Sequence, residues 1–399
     1  MTLFDAPIRR RALLAGSLAL ALSPLACAQS PDQVLRVLFL KGSVAPRLVQ
    51  GFREQLAPVT QLKPQVSSGI DTLFRQLQQW HQPAEPSSGL RLPLVNRATP
   101  LADWVGLGDY WLTAAIQQEL IQPLPEMPGI IDVLPARWRS LLARNPQGDL
   151  SENAPLWAVP YRWGSLVLVY NRRAFQRLGW EPTHWQDLWR PELAKRVSLP
   201  RHPRLALGLM LKGLEASANH PDPEEVSGLT DLLAQGRSQI KTYAATDYLQ
   251  PLLREDTWLA VGWSTDVLPR LEKYRQLAPV VPEPGTLLSA DLWVRPNAAT
   301  SASETALSPQ LTELDRQWLA YWLKPELAET LQIFAYGTSP LDLAETATAS
   351  TPAPSTQNRL MPTIQQRQNS EFVVPLSPTS QKVYADLWSQ LGAVSVDSN

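Results

Sequence analysis

The stretch Val159-Pro160-Tyr161-Arg162-Trp163-Gly164-Ser165-Leu166-Val167-Leu168-Val169-Tyr170-Asn171, VPYRWGSLVLVYN, joins a proline, two aromatics around an arginine and a glycine to an unbroken apolar run. The apolar half is what a strand covered on both faces requires, because it lacks the alternation of a half-exposed strand. The first half predicts something else. Pro160 removes a ladder donor, and Gly164 lets the chain bend. Together they predict a strand that leaves one folded unit at Pro160-Tyr161 and enters a second. Tyr161 and Trp163 would then lie on the floor of the crevice between the two, wet on one side and packed on the other.

The flanking sequence supports two units. A chain of 399 residues exceeds what one hydrophobic core usually serves. Residues 34–40 form an apolar, β-rich run, and residues 46–56 have helical spacing with Pro46 near the start. Asp71 is expected to cap a helix whose Leu73, Phe74, Leu77 and Trp80 share one face. A long surface loop is predicted over 82–100, a strand over 101–106 and a helix over 110–120. This alternation of strands and helices means βαβ units and parallel sheet.

Beyond the quoted stretch, helices are expected at 174–178, 185–188, 205–216 and 222–233, and a strand at 258–263. Pro279, Pro282 and Pro284 make 279–285 an extended connector, and residues 291–294 restore a strand. Helices over 311–323, 326–334 and 380–391 and a low-complexity loop over 345–357 complete the chain. The predicted division is 1–28 as an export signal, 34–161 with 288–344 as the first lobe, and 162–287 with 345–394 as the second.

The N-terminus carries Arg9, Arg10 and Arg11, the apolar run 12–22, and then Ser23-Pro24-Leu25-Ala26-Cys27-Ala28. A charged region, a short apolar core and small residues read as an export signal. The run is far shorter than the ~20 residues that span a bilayer. Arg10-Arg11 fits a twin-arginine signal as well as the general secretory route. The only cysteine, Cys27, stands where a lipoprotein would be cut and acylated, although Ala26-Cys27-Ala28 also fits ordinary cleavage.

The chemistry of catalysis leaves no trace. The four histidines, His81, His184, His202 and His220, have no metal-ligand spacing. Gly262-Trp263-Ser264-Thr265-Asp266 begins like a nucleophile elbow but ends in Asp, and Gly106-Leu107-Gly108 is half of a dinucleotide loop at best. The sequence therefore predicts no enzyme, no cofactor and no metal. A net charge of −1 offers no field for nucleic acid. The 15 tryptophans point either to large core pieces or to a stacking surface.

From Leu156 onward the chain resembles the bacterial periplasmic spermidine/putrescine-binding proteins, the polyamine branch of the ABC-transporter solute-binding proteins. The likeness rests on Pro160-Tyr161-x-Trp163-Gly164 and on Trp185-Gln186-Asp187-Leu188-Trp189-Arg190-Pro191-Glu192. It continues through Trp263, Asp291, Lys324-Pro325-Glu326-Leu327-Ala328 and Tyr336-Gly337-Thr338-Ser339-Pro340. The resemblance implies an α/β, two-lobed periplasmic-binding-protein (Venus-flytrap) fold with discontinuous lobes joined by crossing strands. It implies a polyamine-like ligand in the cleft, an ABC permease of the inner membrane as partner, a periplasmic location and a monomer.

By the same resemblance Asp109, Tyr110, Trp263, Asp291 and Tyr336 are the ligand-binding residues. Trp185 and Trp189 are expected to pack the base of the second lobe. Other positions depart from the family: Leu40, Ser43 and Ser289 replace aromatics, and Arg201, His202, Arg204 and Leu205 stand where an acidic pair is expected. These losses weaken the case for a polyamine. They keep open an anionic, carboxylated or metal ligand, a sensor that has lost transport, and a secreted enzyme.

Overall fold

The computed structural model describes residues 33–82, 100–244, 247–297, 310–343 and 360–391. The export signal with Cys27, all but the ends of the 82–100 loop, and the 345–357 stretch lie outside the described residues. Among the described residues no helix is long and apolar enough to cross a membrane.

The strands are β1 (Gln33–Leu40), β2 (Thr60–Ser67), β3 (Trp104–Gly108), β4 (Ile121–Gln122), β5 (Ala158–Asn171) and β6 (Val197–Pro200). They continue with β7 (Ile240–Ala244), β8 (Leu259–Trp263), β9 (Leu277–Val280), β10 (Leu287–Pro296) and β11 (Glu371–Phe372). The main path runs β2-β1-β3-β10-β5-β8-β6-β7. β5 is the strand of the opening motif, and it changes partners along its length. Residues 158–165 pair with β10, Leu166 to Tyr170 pair with β8, and Leu168 to Asn171 pair with β9.

Strand directions fix where the two halves meet. β1, β2 and β3 are parallel, and β10 runs antiparallel to both β3 and β5, so β5 leaves the first half in the direction of β1 and β3. β8 opposes β5, and β6 is parallel to β8 and β7. The carboxyl ends of both parallel sets therefore converge on the middle of β5. A crevice outside the carboxyl ends of an open α/β sheet is where such folds bind ligands.

Both halves are covered on both faces. Leu166, Leu168 and Tyr170 pack with Trp185, Leu188 and Trp189 in one core, whereas Val167 and Val169 pack with Tyr248 and Val267 in another. That two-sided burial is why the run is apolar without alternation. In the first half Trp163 joins Leu288 and Leu292, and Tyr161 joins Trp293, Trp318 and Trp322. Most tryptophans are thus core: Trp104, Trp138, Trp163, Trp185, Trp293, Trp318 and Trp322 are all essentially buried.

Several expectations need correcting. Pro160 does not stop the ladder. The register slips there, with Leu292 opposite Pro160 and Asp291 opposite Arg162, so a β-bulge absorbs the proline. Tyr161 and Trp163 are not a wet floor, since each is 1% exposed. Trp163 Nε1 donates to the Ser339 carbonyl at 2.8 Å and Tyr161 stacks on Trp293 with centroids 4.5 Å apart. Asp71 lies in the first turn of helix Ile70–His81, which Gly69 caps; the apolar face of that helix is buried as predicted. The supposed connector begins as strand β9, which includes Pro279 and, among the described residues, pairs with β5 alone.

Gly164 serves close approach rather than bending. A Cβ there would lie 2.9 Å from Ser264 Oγ and 3.0 Å from Thr265 Cγ2, at the start of helix Ser264–Leu271. Overpacking of this kind costs about 1–3 kcal/mol. Gly164→Val is therefore expected to lower the urea midpoint by a corresponding amount; an unchanged midpoint would show that the two halves are not closely packed at this point.

Candidate functional site

The bulge does more than accommodate Pro160. It resumes pairing with Arg162 opposite Asp291, so the two side chains lie together at the level where β3 ends, Asp291 also being opposite Gly108. Arg162 Nε forms an ion pair with Asp291 Oδ2. Its Nη1 donates to the Ala335 carbonyl at 2.6 Å and to that of Gly42 at 3.4 Å. Burial works against the charged guanidinium, but Asp291, Tyr161 and Asp266 outweigh it and leave its pKa raised.

The segment over this arginine is tightly constrained. Tyr336 ends helix Leu327–Ala335 in the left-handed region, at φ 53°. A non-glycine residue there costs on the order of 1–2 kcal/mol, so its neighbours must hold it. A Cβ on Gly337 would lie 2.8 Å from Arg162 Cδ, and Thr338 pairs with Trp163. Tyr336 Oη donates to Glu272 Oε1 at 3.3 Å, which ties the first half to the helix after β8.

The second half contributes Trp263, partly buried at the carboxyl end of β8, opposite Leu166. Asp266 follows in the first turn of the next helix and accepts the Tyr248 hydroxyl. Burial first, and then Asp266, push the Tyr248 pKa well above its usual value, so the hydroxyl stays a donor. Arg270 Nη1 donates to the Asp266 carbonyl at 2.6 Å.

A second bridge closes the opposite mouth. Tyr110, 49% exposed, meets the edge of His202 with ring centroids 4.6 Å apart. His202 caps helix Pro203–Gly213 by accepting the Leu205 amide on Nδ1. Burial, and then Arg204, lower its pKa to about 4, so the ring is neutral at neutral pH. Beside Tyr110 a cleft of about 520 Å³ is lined by Arg144, Arg204 and Tyr384 among others.

Asp109 lines the same cleft but is nearly buried. It is 4% exposed, and Oδ1 accepts Ser289 Oγ at 2.8 Å and the Ala290 amide at 3.0 Å. Ser289, one of the positions that depart from the resemblance, thus serves a buried carboxylate. Among the others, Leu205 is core, and Ser43 is buried with its hydroxyl on the Leu40 carbonyl.

Burial raises the Asp109 pKa from 3.8 to about 6, against the lowering effects of Ala290, Ser289 and Arg144. The folded chain then holds this proton more tightly than the unfolded one, and the cost of ionising it in place appears as pH rises between about 4 and 6. A carboxyl pKa raised from 3.8 to about 6 corresponds to roughly 3 kcal/mol. The stability of Asp109→Asn relative to the native chain is expected to rise by up to that amount from pH 4 to pH 7. Urea unfolding at both pH values checks this, and a pH-independent difference would contradict it.

The residues expected from the sequence, Asp109, Tyr110, Trp263, Asp291 and Tyr336, come from four separate segments; Asp109 and Tyr110 follow β3, Trp263 ends β8 and Asp291 stands opposite Gly108 at the end of β3. Sequence reasoning missed Arg162, Tyr248, Asp266 and Glu272. Arg162 stood in the decisive motif between two aromatics that turned out to be core. Among the described residues no group of three or more His, Cys, Asp or Glu could hold a metal ion.

Two α/β halves, a strand shared between them and a crevice at the converging carboxyl ends define a two-lobed periplasmic-binding-protein fold. Its backbone is similar to that of the spermidine/putrescine ABC-transporter substrate-binding protein of Streptococcus pneumoniae, with a TM-score of 0.67, 20% identity, and coverage of 90% of this chain and 99% of that one. It is also similar to the periplasmic binding protein AfuA of Actinobacillus pleuropneumoniae, solved with fructose-6-phosphate, at TM-score 0.54 and 14% identity, over 91% of this chain and 100% of that one. Residues 100–366 match the bacterial extracellular solute-binding protein family, and the chain belongs to it. A curated relative, the putrescine/cadaverine-binding protein of Pseudomonas aeruginosa, is 25% identical over 115 residues, covering 28% of this chain and about a third (32%) of that protein.

Proposed function

We propose that the chain is the exported solute-binding component of an ABC importer and that its interlobe cleft takes a small alkylamine. Export through the N-terminal signal and delivery to an inner-membrane permease, as a monomer, belong to the proposal. So does a lobe boundary at the β5 partner change between Ser165 and Leu166.

The observation that carries this reading is the placing of Trp263 at the carboxyl end of β8 with Asp266 three residues later, where the strand ends converge. Aromatic faces cover methylene chains and attract ammonium groups, and carboxylates complete their recognition. The relatives named for putrescine, cadaverine and spermidine agree with that chemistry. Contacts between the halves, Tyr110 with His202 and Tyr336 with Glu272, are the kind that a bound solute would reinforce by favouring closure.

A second reading, an anionic or carboxylated solute, draws on Arg204 and the N-terminus of helix Pro203–Gly213 beside Tyr110. A thermal-shift panel of putrescine, cadaverine, spermidine, butylamine and succinate separates the two. At least one amine is expected to raise the melting temperature and succinate to leave it unchanged. A shift with succinate and none with any amine would move the proposal to the second reading.

A further inference from the structure

Arg162 is 9% exposed, and its guanidinium spans three segments: Asp291 on β10, the Ala335 carbonyl, and the Gly42 carbonyl after β1. Gly337 leaves room for it, since a Cβ there would strike Arg162 Cδ at 2.8 Å. The cation is therefore built into the floor of the cleft, and the carboxylate nearest the strand ends is already neutralised by the chain itself.

The remaining charges divide by mouth. Toward helix Ser264–Leu271, the guanidiniums of Arg162 and Arg270 stand against the carboxylates of Asp291, Asp266 and Glu272, which leaves one negative charge. Asp266 and Glu272 each accept a neutral hydroxyl, that of Tyr248 and of Tyr336, and Asp266 is the one that stands three residues after Trp263. Toward Tyr110, the guanidiniums of Arg144 and Arg204 stand against the buried Asp109 beside a neutral His202. Asp149 also acts on Arg144 and Glu371 on Tyr384, so the charges at that mouth largely offset one another.

We infer that Arg162 is a specificity-determining residue that fills one ammonium subsite at Asp291, so that the cleft takes a solute with a single ammonium group, held at Asp266, rather than a di- or triamine. This rests on the amine reading of the cleft. The solute's other end is uncharged or carries a carboxylate, and butylamine and 4-aminobutyrate represent these two chemistries.

The test is calorimetric titration of the purified protein with butylamine, 4-aminobutyrate and putrescine, for the native chain and for Arg162→Met. The native chain is expected to bind butylamine or 4-aminobutyrate at least as tightly as putrescine. Arg162→Met frees Asp291 and is expected to tighten putrescine by about tenfold or more while leaving butylamine within about threefold. The double variant Arg162→Met/Asp291→Asn leaves no unpaired charge in the floor and should lose the putrescine gain.

A native chain that prefers putrescine to both butylamine and 4-aminobutyrate by about tenfold has two ammonium subsites and overturns the inference. A folded Arg162→Met with no gain for putrescine overturns the role of Arg162. If the single variant does not fold, the preference of the native chain decides. Absence of binding by all three compounds to native chain and variants alike would instead remove the amine reading, and the inference with it.

Discussion

Trp293→Ala is expected to cost about 3–5 kcal/mol, the range for emptying a buried tryptophan site. Trp293 is fully buried on β10 at the centre of an aromatic cluster, with ring centroids 4.5 Å from Tyr161, 5.1 Å from Trp318, 5.6 Å from Trp322 and 6.3 Å from Phe39. These neighbours come from β1, β5 and helix Glu313–Trp322, so the side chain ties three remote segments together. Rigid rings on four sides cannot collapse into the space, which places the cost toward the upper end. For a chain of this size a loss of that order lowers the melting temperature by roughly 4–6 °C. Differential scanning calorimetry would read it, and a drop of only a degree or two would mean that the cluster repacks. Because Asp291 precedes Trp293 by two residues on the same strand face, the same variant should also loosen the Arg162–Asp291 pair and weaken ligand binding.

The second large effect concerns the ligand. Trp263→Ala is expected to reduce amine affinity by about 10- to 100-fold, since a desolvated cation–π contact is worth about 2 kcal/mol and the ring also covers apolar chain. Trp263 is half-buried, so part of its surface packs on the second-half cores, and some loss of stability will accompany the change. Asp266→Asn separates the two effects. It keeps the shape and an acceptor for Tyr248 but removes the charge, so binding should fall by a comparable factor with little change in the urea midpoint. Equal affinities for the native chain and both variants would place the solute elsewhere than beside β8.

Much of the fold was legible in the sequence because it depends on local pattern. The run from Leu166 to Tyr170 announces a strand buried on both faces, and it is one. Leu73, Phe74, Leu77 and Trp80 at helical spacing are all buried. Trp185 and Trp189 read as core and are core. What the pattern could not carry is register. Whether Pro160 ends a ladder or sits in a bulge depends on β10, which follows more than a hundred residues later, and the bulge decides where Arg162 points. The same holds for charge pairing: Asp291 looks like a free carboxylate until Arg162, 129 residues away, is placed beside it.

The missed residues had weaker signatures. Asp266 stands three residues after a strand-ending tryptophan, at the start of a helix, where an acidic side chain is ordinary capping chemistry. Only the fold shows that this turn faces the crevice. Asp109 and Tyr110 line one cleft, as adjacency suggested, but the sequence does not show that one is 4% and the other 49% exposed.

The central claim is that the interlobe cleft binds a small alkylamine against Trp263 and Asp266. Isothermal titration of butylamine into the native chain and into Trp263→Ala tests it most directly. The account predicts saturable binding at one site per chain, weakened by about tenfold or more in the variant. Binding that is undiminished in Trp263→Ala, or no heat from any amine at millimolar concentration, would contradict it.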